Sequence, residues 1–431
     1  MESSTIIALL LFAITYIGLI IFQNYRPYIA LGSGLIFILM GFLPINKILG
    51  SIDFNVLMMI AGTMGIVSLF IESKMPEKMA EFIIDKMPNI KWMTVALAIF
   101  ASFISAFVDN VATVLMVAPV AMTLCKKLNI SPVKSIIAIA ISSNLQGAAT
   151  LVGDTTSILL GGYNNMNFLD FFVFNGKMGL FWVVQISSIG ATLVLLYIFR
   201  NDNEKFEFND STVVKDYVPT VLLVGLVVLL IIASFVPNGV FPVWIKDNIN
   251  GLICVALMII GIIYEIIVQK DINIFKNTLK EIDFFTLGLL LGLFIVIAGI
   301  NEAGVIDWLA SLIANAGEGN IFMLYTIIVW ASVLLSAFID NIPYVLTMLP
   351  VVSGIALSLG VDQTLLMFGL LSGATLGGNL TPIGASANIT ALGLLRKEGY
   401  SVKNSEFMKI SIPFTLVAVF IGYVLIWFIY A

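Results

Sequence analysis

The stretch Ser105-Ala106-Phe107-Val108-Asp109-Asn110 decides how this chain is read, because it returns as Ser336-Ala337-Phe338-Ile339-Asp340-Asn341. Each copy sets an aspartate inside an apolar segment. The shift of 231 that carries Asp109 onto Asp340 also carries Pro119 onto Pro350, Gly147 onto Gly378, Thr150 onto Thr381 and Gly153 onto Gly384. A shift one residue smaller carries Ile52-Asp53-Phe54 onto Ile282-Asp283-Phe284, Gly62 onto Gly292 and Glu72 onto Glu302. So ordered and nearly gapless a series reads as an internal duplication.

Composition fixes the solvent. With 60% apolar and 11% charged residues and a mean hydropathy of +1.07, the chain carries more apolar surface than a soluble core of its length buries. Apolar runs of helical-span length recur, and the short alternation of a membrane barrel is missing, so the predicted class is an all-α polytopic membrane protein.

Crossings are predicted near Thr5 to Phe22, Pro27 to Leu43, Phe54 to Ile71, Ser135 to Tyr163 and Met178 to Phe199. The second half follows with Val218 to Val236, Asn250 to Val268, Phe284 to Ile300, Gln363 to Leu395 and Phe407 to Tyr430. The Asp-Asn pairs fall in two further segments, 92–125 and 322–359, predicted as short-armed re-entrant hairpins with the pair at the tip. Residues 1–200 form the first repeat, 201–216 a cytoplasmic linker and 217–431 the second repeat. Amphipathic helices are predicted at the membrane surface over 74–87 and 303–316.

In this layout eighteen of the twenty-one Lys and Arg residues, Arg26 among them, fall on one face, and only Lys47, Lys177 and Lys246 on the other. The positive-inside rule makes the rich face cytoplasmic and places both termini outside, in a bacterial or archaeal cytoplasmic membrane. Five crossings separate Phe54 from Phe284, so the halves are predicted to be inverted, with a shared site near the bilayer midplane.

The segments 135–163 and 363–395 are predicted to be broken helices. Ser142 to Ser157 mixes Gly147 and Gly153 with a dense polar run, and Gly377 to Asn388 adds Pro382. Unwound backbone at that depth belongs inside protein or along a wet cavity, where its carbonyls suit a cation and half-helix N-termini suit an anion.

The Asp-Asn tips, Gly153-Asp154-Thr155-Thr156 and above all Gly378-Asn379-Leu380-Thr381-Pro382-Ile383-Gly384-Ala385-Ser386-Ala387-Asn388 resemble the ion transporter superfamily. That group holds arsenite permeases, the melanosomal P protein, NhaD-type sodium/proton antiporters, citrate-transporter-like permeases and divalent anion:sodium symporters. The resemblance implies a homodimer with scaffold and transport domains working by an elevator motion. In the dicarboxylate carriers of that group the tips read Ser-Asn-Thr and share a sodium with the neighbouring break. Carried over by position, a first sodium site involves Ser105, Asp109, Asn110 and backbone near Gly153, and a second Ser336, Asp340, Asn341 and backbone near Gly384. Asp109 and Asp340 depart from the pattern, standing where those carriers have a neutral Ser.

Each buried Asp costs about 2.5 to 3.5 kcal/mol on insertion scales, so Asp109, Asp154 and Asp340 call for a cation or a proton, and no Lys or Arg is predicted in the core to supply one. A carboxylate that holds either Na+ or a proton is the minimal chemistry of exchange. Thr150, Thr155, Asn379, Thr381, Ser386 and Asn388 complete the candidate set. The bland alternative is that the aspartates only cap helices, Asp154 in particular. Three functions stay open: Na+/H+ exchange, favoured by the paired Asp; Na+- or H+-coupled carriage of a small anion such as a dicarboxylate or arsenite, held at Thr155 and Ser386; and a passive channel or receptor. The chain has no His, and Cys125 and Cys254 stand apart, so no metal-ligand cluster, disulfide framework, resident cofactor or nucleic-acid partner is indicated. No Walker A pattern points to an ATP-driven pump or other enzyme. The first segment, starting with Glu2, reads as part of the repeat and not as a cleaved signal.

Overall fold

An apolar segment that crosses a bilayer must satisfy its own backbone, and helices do so throughout the computed structural model, which describes residues 3–206, 212–237, 239–270, 273–316 and 319–431. Eight of these helices are long and apolar enough to span, among them Phe54–Glu72 and Phe284–Glu302. At 19 residues each, they reach about 28 Å, close to the thickness of a hydrocarbon core. Their starts are set by polar caps: Asp53 accepts from the Val56 amide and Asp283 from the Thr286 amide, both at 3.0 Å.

The pairings recur between the halves. Phe54–Glu72 packs along Ile249–Tyr264, and Phe284–Glu302 along Arg26–Leu39. Both contacts need a missing side chain: a Cβ on Gly62 would lie 2.5 Å from the Cys254 backbone, and one on Gly292 2.5 Å from Ala30. Ile90–Ser105 lies along Val133–Gln146, and Ile321–Ser336 along Thr364–Gly377. Every residue of Thr364–Gly377 is buried, as is nearly every one of Val133–Gln146, so the interior is built around the two polar segments.

Both segments are interrupted. Val133–Gln146 gives way to a turn before Thr155–Tyr163, and Thr364–Gly377 to a single 3-10 turn and an irregular stretch before Ser386–Lys397. The Asp-Asn pairs lie where Ile90–Ser105 turns into Asn110–Lys127 and Ile321–Ser336 into Asn341–Leu359. The second arms, of 18 and 19 residues, rank among the eight span-length helices of the described residues.

Among the described residues, one element departs from the all-helical expectation. Val173–Phe174 pairs antiparallel with Lys177–Met178. Asn175 and Gly176 between them both have positive φ, the two-residue turn that Asn-Gly favours. Surface helices occupy Met75–Ile84 and Val305–Ala316. Of the predicted linker 201–216, residues 207–211 lie outside the described residues. Its flanks pair with the first half, where Lys91 N donates to Asp202 O at 2.8 Å and Lys215 N to Ser73 O at 3.0 Å.

Candidate functional site

Both tip aspartates start a helix. Asp109 Oδ1 accepts from the Val111 and Ala112 amides at 2.9 and 3.3 Å, and Asp340 Oδ1 from the Ile342 amide at 3.2 Å. Capping is therefore real, and it uses one oxygen of each carboxylate. Asp154 is committed further: Oδ1 accepts from the Thr155 amide at 2.8 Å and Oδ2 from the Thr156 hydroxyl at 2.9 Å. At the matching position of the second break stands Ala385, and Ser386 begins its half-helix without a side-chain cap.

The breaks are bound to the tips through backbone oxygens. The hydroxyl of Thr150 donates to Ala106 O, and that of Thr381 to Ala337 O. Gly153 sits among the carbonyls of Gly147, Ser105 and Ala106, which lie 2.8 to 3.1 Å from where a Cβ would be. Gly384 sits likewise among those of Gly378, Ala337 and Ser336, at 2.6 to 2.8 Å. Only glycine lets so many oxygens converge at each break. Ser105 is buried against the Ser143 hydroxyl at 3.1 Å, and Ser336 donates to Ala374 O at 2.6 Å.

An amide relay connects the halves. Asn110 Nδ2 donates to Asn144 Oδ1 at 2.8 Å, Asn144 Nδ2 to Asn379 Oδ1 at 3.1 Å, and Asn379 Nδ2 to Ile141 O at 2.9 Å. Asn388 donates to Gly378 O and Thr381 O at 3.2 Å each, and its own Oδ1 is buried without a partner.

Asp109, Asn110, Asp154, Thr155, Asn341 and Ser386 line one cavity of about 200 Å³. Across it stand Thr63 and Ser68 of Phe54–Glu72, together with Glu281, Asp283 and Thr286. Four carboxylates thus share a small space, and none of its lining residues is Lys or Arg. Like charges at this range repel, and a cation among them relieves the repulsion.

Asp340 does not line this cavity. Its Oδ2 meets Arg26 Nη1 at 2.8 Å, with only 15% and 17% of the two side chains exposed. This corrects the expectation that no basic residue reaches the core: Arg26, placed by charge counting in a cytoplasmic loop, opens the helix Arg26–Leu39 and folds its guanidinium onto the second tip. Charge counting assigns a residue to a loop but not a direction to its side chain.

Ser105, Gly153, Ser336, Asn379, Thr381, Gly384 and Asn388 lie in the bonded framework behind the tips. Sequence reasoning did not list Asn144, Asp283 or Arg26 as site residues. Asn144 stood within the quoted break, and Asp283 within the duplicated Ile-Asp-Phe; Arg26 had no repeat to mark it.

Known proteins agree with this architecture. The chain is 28% identical over 386 residues to an uncharacterized transporter of Mycobacterium tuberculosis, covering 88% of this chain and 87% of the relative. It is 25% identical over 443 residues to the human P protein, covering 86% of this chain and 53% of that protein. Among solved structures, the Alcanivorax borkumensis YdaH transporter superposes with a TM-score of 0.61 at 14% identity, over 88% of this chain and 86% of that one. Neisseria gonorrhoeae MtrF gives 0.56 at 13%, over 91% and 84%. At such identities the likeness is one of fold. The family model described as citrate transporter, CitMHS, matches residues 16–366 and again 250–431. A polytopic helical chain matched over most of its length, with the predicted superfamily motifs at the centre of its fold, is a secondary transporter and belongs to the CitMHS citrate transporter family.

Proposed function

We propose that this transporter exchanges a monovalent cation, foremost Na+, for protons at the first hairpin tip. The observation that carries the reading is the acidic cavity: Asp109, Asp154, Glu281 and Asp283 all line it, with no Lys or Arg in the lining. A free anion would enter against four carboxylates, whereas a cation or a proton lowers the charge already there. Because either ligand satisfies the same oxygens, one displaces the other, and displacement across two conformations is exchange.

The wider picture keeps the expectations drawn from sequence. Two inverted repeats supply the hairpins and breaks, which move as an elevator against scaffold helices in a homodimer, with both termini outside a bacterial or archaeal cytoplasmic membrane. The duplicated spacing and the odd number of crossings between Phe54 and Phe284 support the inverted repeats. The elevator and the homodimer are what the superfamily resemblance implies, and the orientation follows from the charge count.

A second reading, Na+- or H+-coupled carriage of an anion such as citrate, draws on the family description and on the half-helix at Ser386, which lines the cavity without a side-chain cap.

Liposomes holding the purified protein and an internal pH dye decide between them. Under an imposed Na+ gradient, proton movement without any added anion, lost in Asp109→Asn, is the outcome of exchange. Flux that begins only when citrate is supplied would replace this reading with the second.

A further inference from the structure

We propose that Arg26 is a tethered cation that occupies the second hairpin tip, so that of two tips nearly identical in sequence only Asp109 binds the transported cation in this conformation. The inference deepens the reading above and rests on it.

The two tips meet different surroundings. Asp109 opens onto a cavity whose other charged residues are all acidic, whereas Asp340 faces a guanidinium at 2.8 Å. That guanidinium is held from behind, because Arg26 Nε donates to Leu19 O at 3.1 Å, leaving Nη1 directed at the carboxylate. The helix before Arg26, Ser3–Ile21, touches the hairpin as well, where the Tyr16 hydroxyl donates to Pro343 O at 2.8 Å. In this conformation Tyr16 and Arg26 thus belong to one contact between the helices Ser3–Ile21 and Arg26–Leu39 and the tip and start of Asn341–Leu359.

The asymmetry is also written in the sequence. Gly62 packs on Cys254 and Gly292 packs on Ala30, so these two crossings are equivalent contacts between the halves. Four residues before Ala30 stands Arg26; four residues before Cys254 stands Asn250, a neutral amide. At this matched position one half carries a positive charge and the other a neutral amide, which lies outside the cavity of Asp109. A partly buried carboxylate that loses its partner is costly, so Asp340 keeps Arg26 unless another positive charge takes its place. With Arg26 on Asp340, a second transported cation finds that carboxylate already neutralised.

Na+ binding to the purified full-length protein in nanodiscs, followed by isothermal titration with NaCl, reads this directly. The expected result is one Na+ per chain in the wild type, no binding in Asp109→Asn, and one Na+ of unchanged affinity in Asp340→Asn. Arg26→Gln is expected to bind two, with the second lost again in the Arg26→Gln, Asp340→Asn double variant; Arg26→Lys stays at one. Two Na+ in the wild type, loss of binding in Asp340→Asn, or a single Na+ in a folded Arg26→Gln would overturn the proposal while leaving Asp109 as a cation site. Should Arg26→Gln fail to fold, the Asp340→Asn titration decides alone. Absence of Na+ binding in every variant would sink the exchange reading, and this proposal with it.

Discussion

Asn144 donates its amide to Asn379 at 3.1 Å, so a residue of the first break and a residue of the second are bonded across 235 positions of chain. With Asn110 on one side and Ile141 O on the other, the pair makes the hairpin tip of one half depend on the backbone break of the other.

Removing that pair should destabilise the protein as well as slow it. Asn144→Ala takes away the partner of the buried Asn110 Nδ2 and of Asn379 Oδ1, at a cost of about 1 to 3 kcal/mol. Asn379→Ala should cost a similar amount, and the double variant less than the two summed, because they share one network. Thermal melts of the three purified variants check this; strictly additive losses would show that the relay is not a unit.

Na+ should raise the melting temperature, since a ligand that binds only the folded form stabilises it. At a hundredfold excess over Kd the gain is about 2.7 kcal/mol. The shift should vanish in Asp109→Asn and persist in variants of surface charges such as Lys47. A Na+-dependent shift of wild-type size in Asp109→Asn would place the cation elsewhere.

Exchange should be abolished by Asp109→Asn and by Asp340→Asn, both of which should still insert and fold, but for different reasons. The first loses its cation ligand; the second leaves the Arg26 guanidinium unpaired against the hairpin. Proton flux in liposomes at background level is expected for both, and near-normal flux in both would leave the site assignment wrong.

Gly153→Ala and Gly384→Ala should each fold poorly, because the added methyl meets carbonyl oxygens at 2.8 and 2.6 Å. Overpacking of this kind costs about 1 to 3 kcal/mol. Gly393→Ala, with open space at its Cβ position, is the control expected to behave as wild type in yield and melting.

Much of the fold was legible because membrane insertion imposes rules on the chain itself. Span-length apolar runs gave the helices at Phe54–Glu72 and Phe284–Glu302, and the polar, glycine-bearing stretches gave the interruptions after Gln146 and Gly377. The hairpin Val173–Met178 was missed, since four strand residues around Asn-Gly leave no span-length signal.

By itself the sequence determined the class, the helices, the duplication and the presence of carboxylates that need a counter-charge, all of which follow from local composition and spacing. Only the tertiary structure decided which charge answers which carboxylate. Asp109 and Asp340 stand in near-identical hexapeptides, yet one opens onto the side chains of Thr63 and Asp283 and the other onto Arg26. Coulomb interactions depend on distance through space, and the repeat that duplicates a motif does not duplicate the surface packed against it.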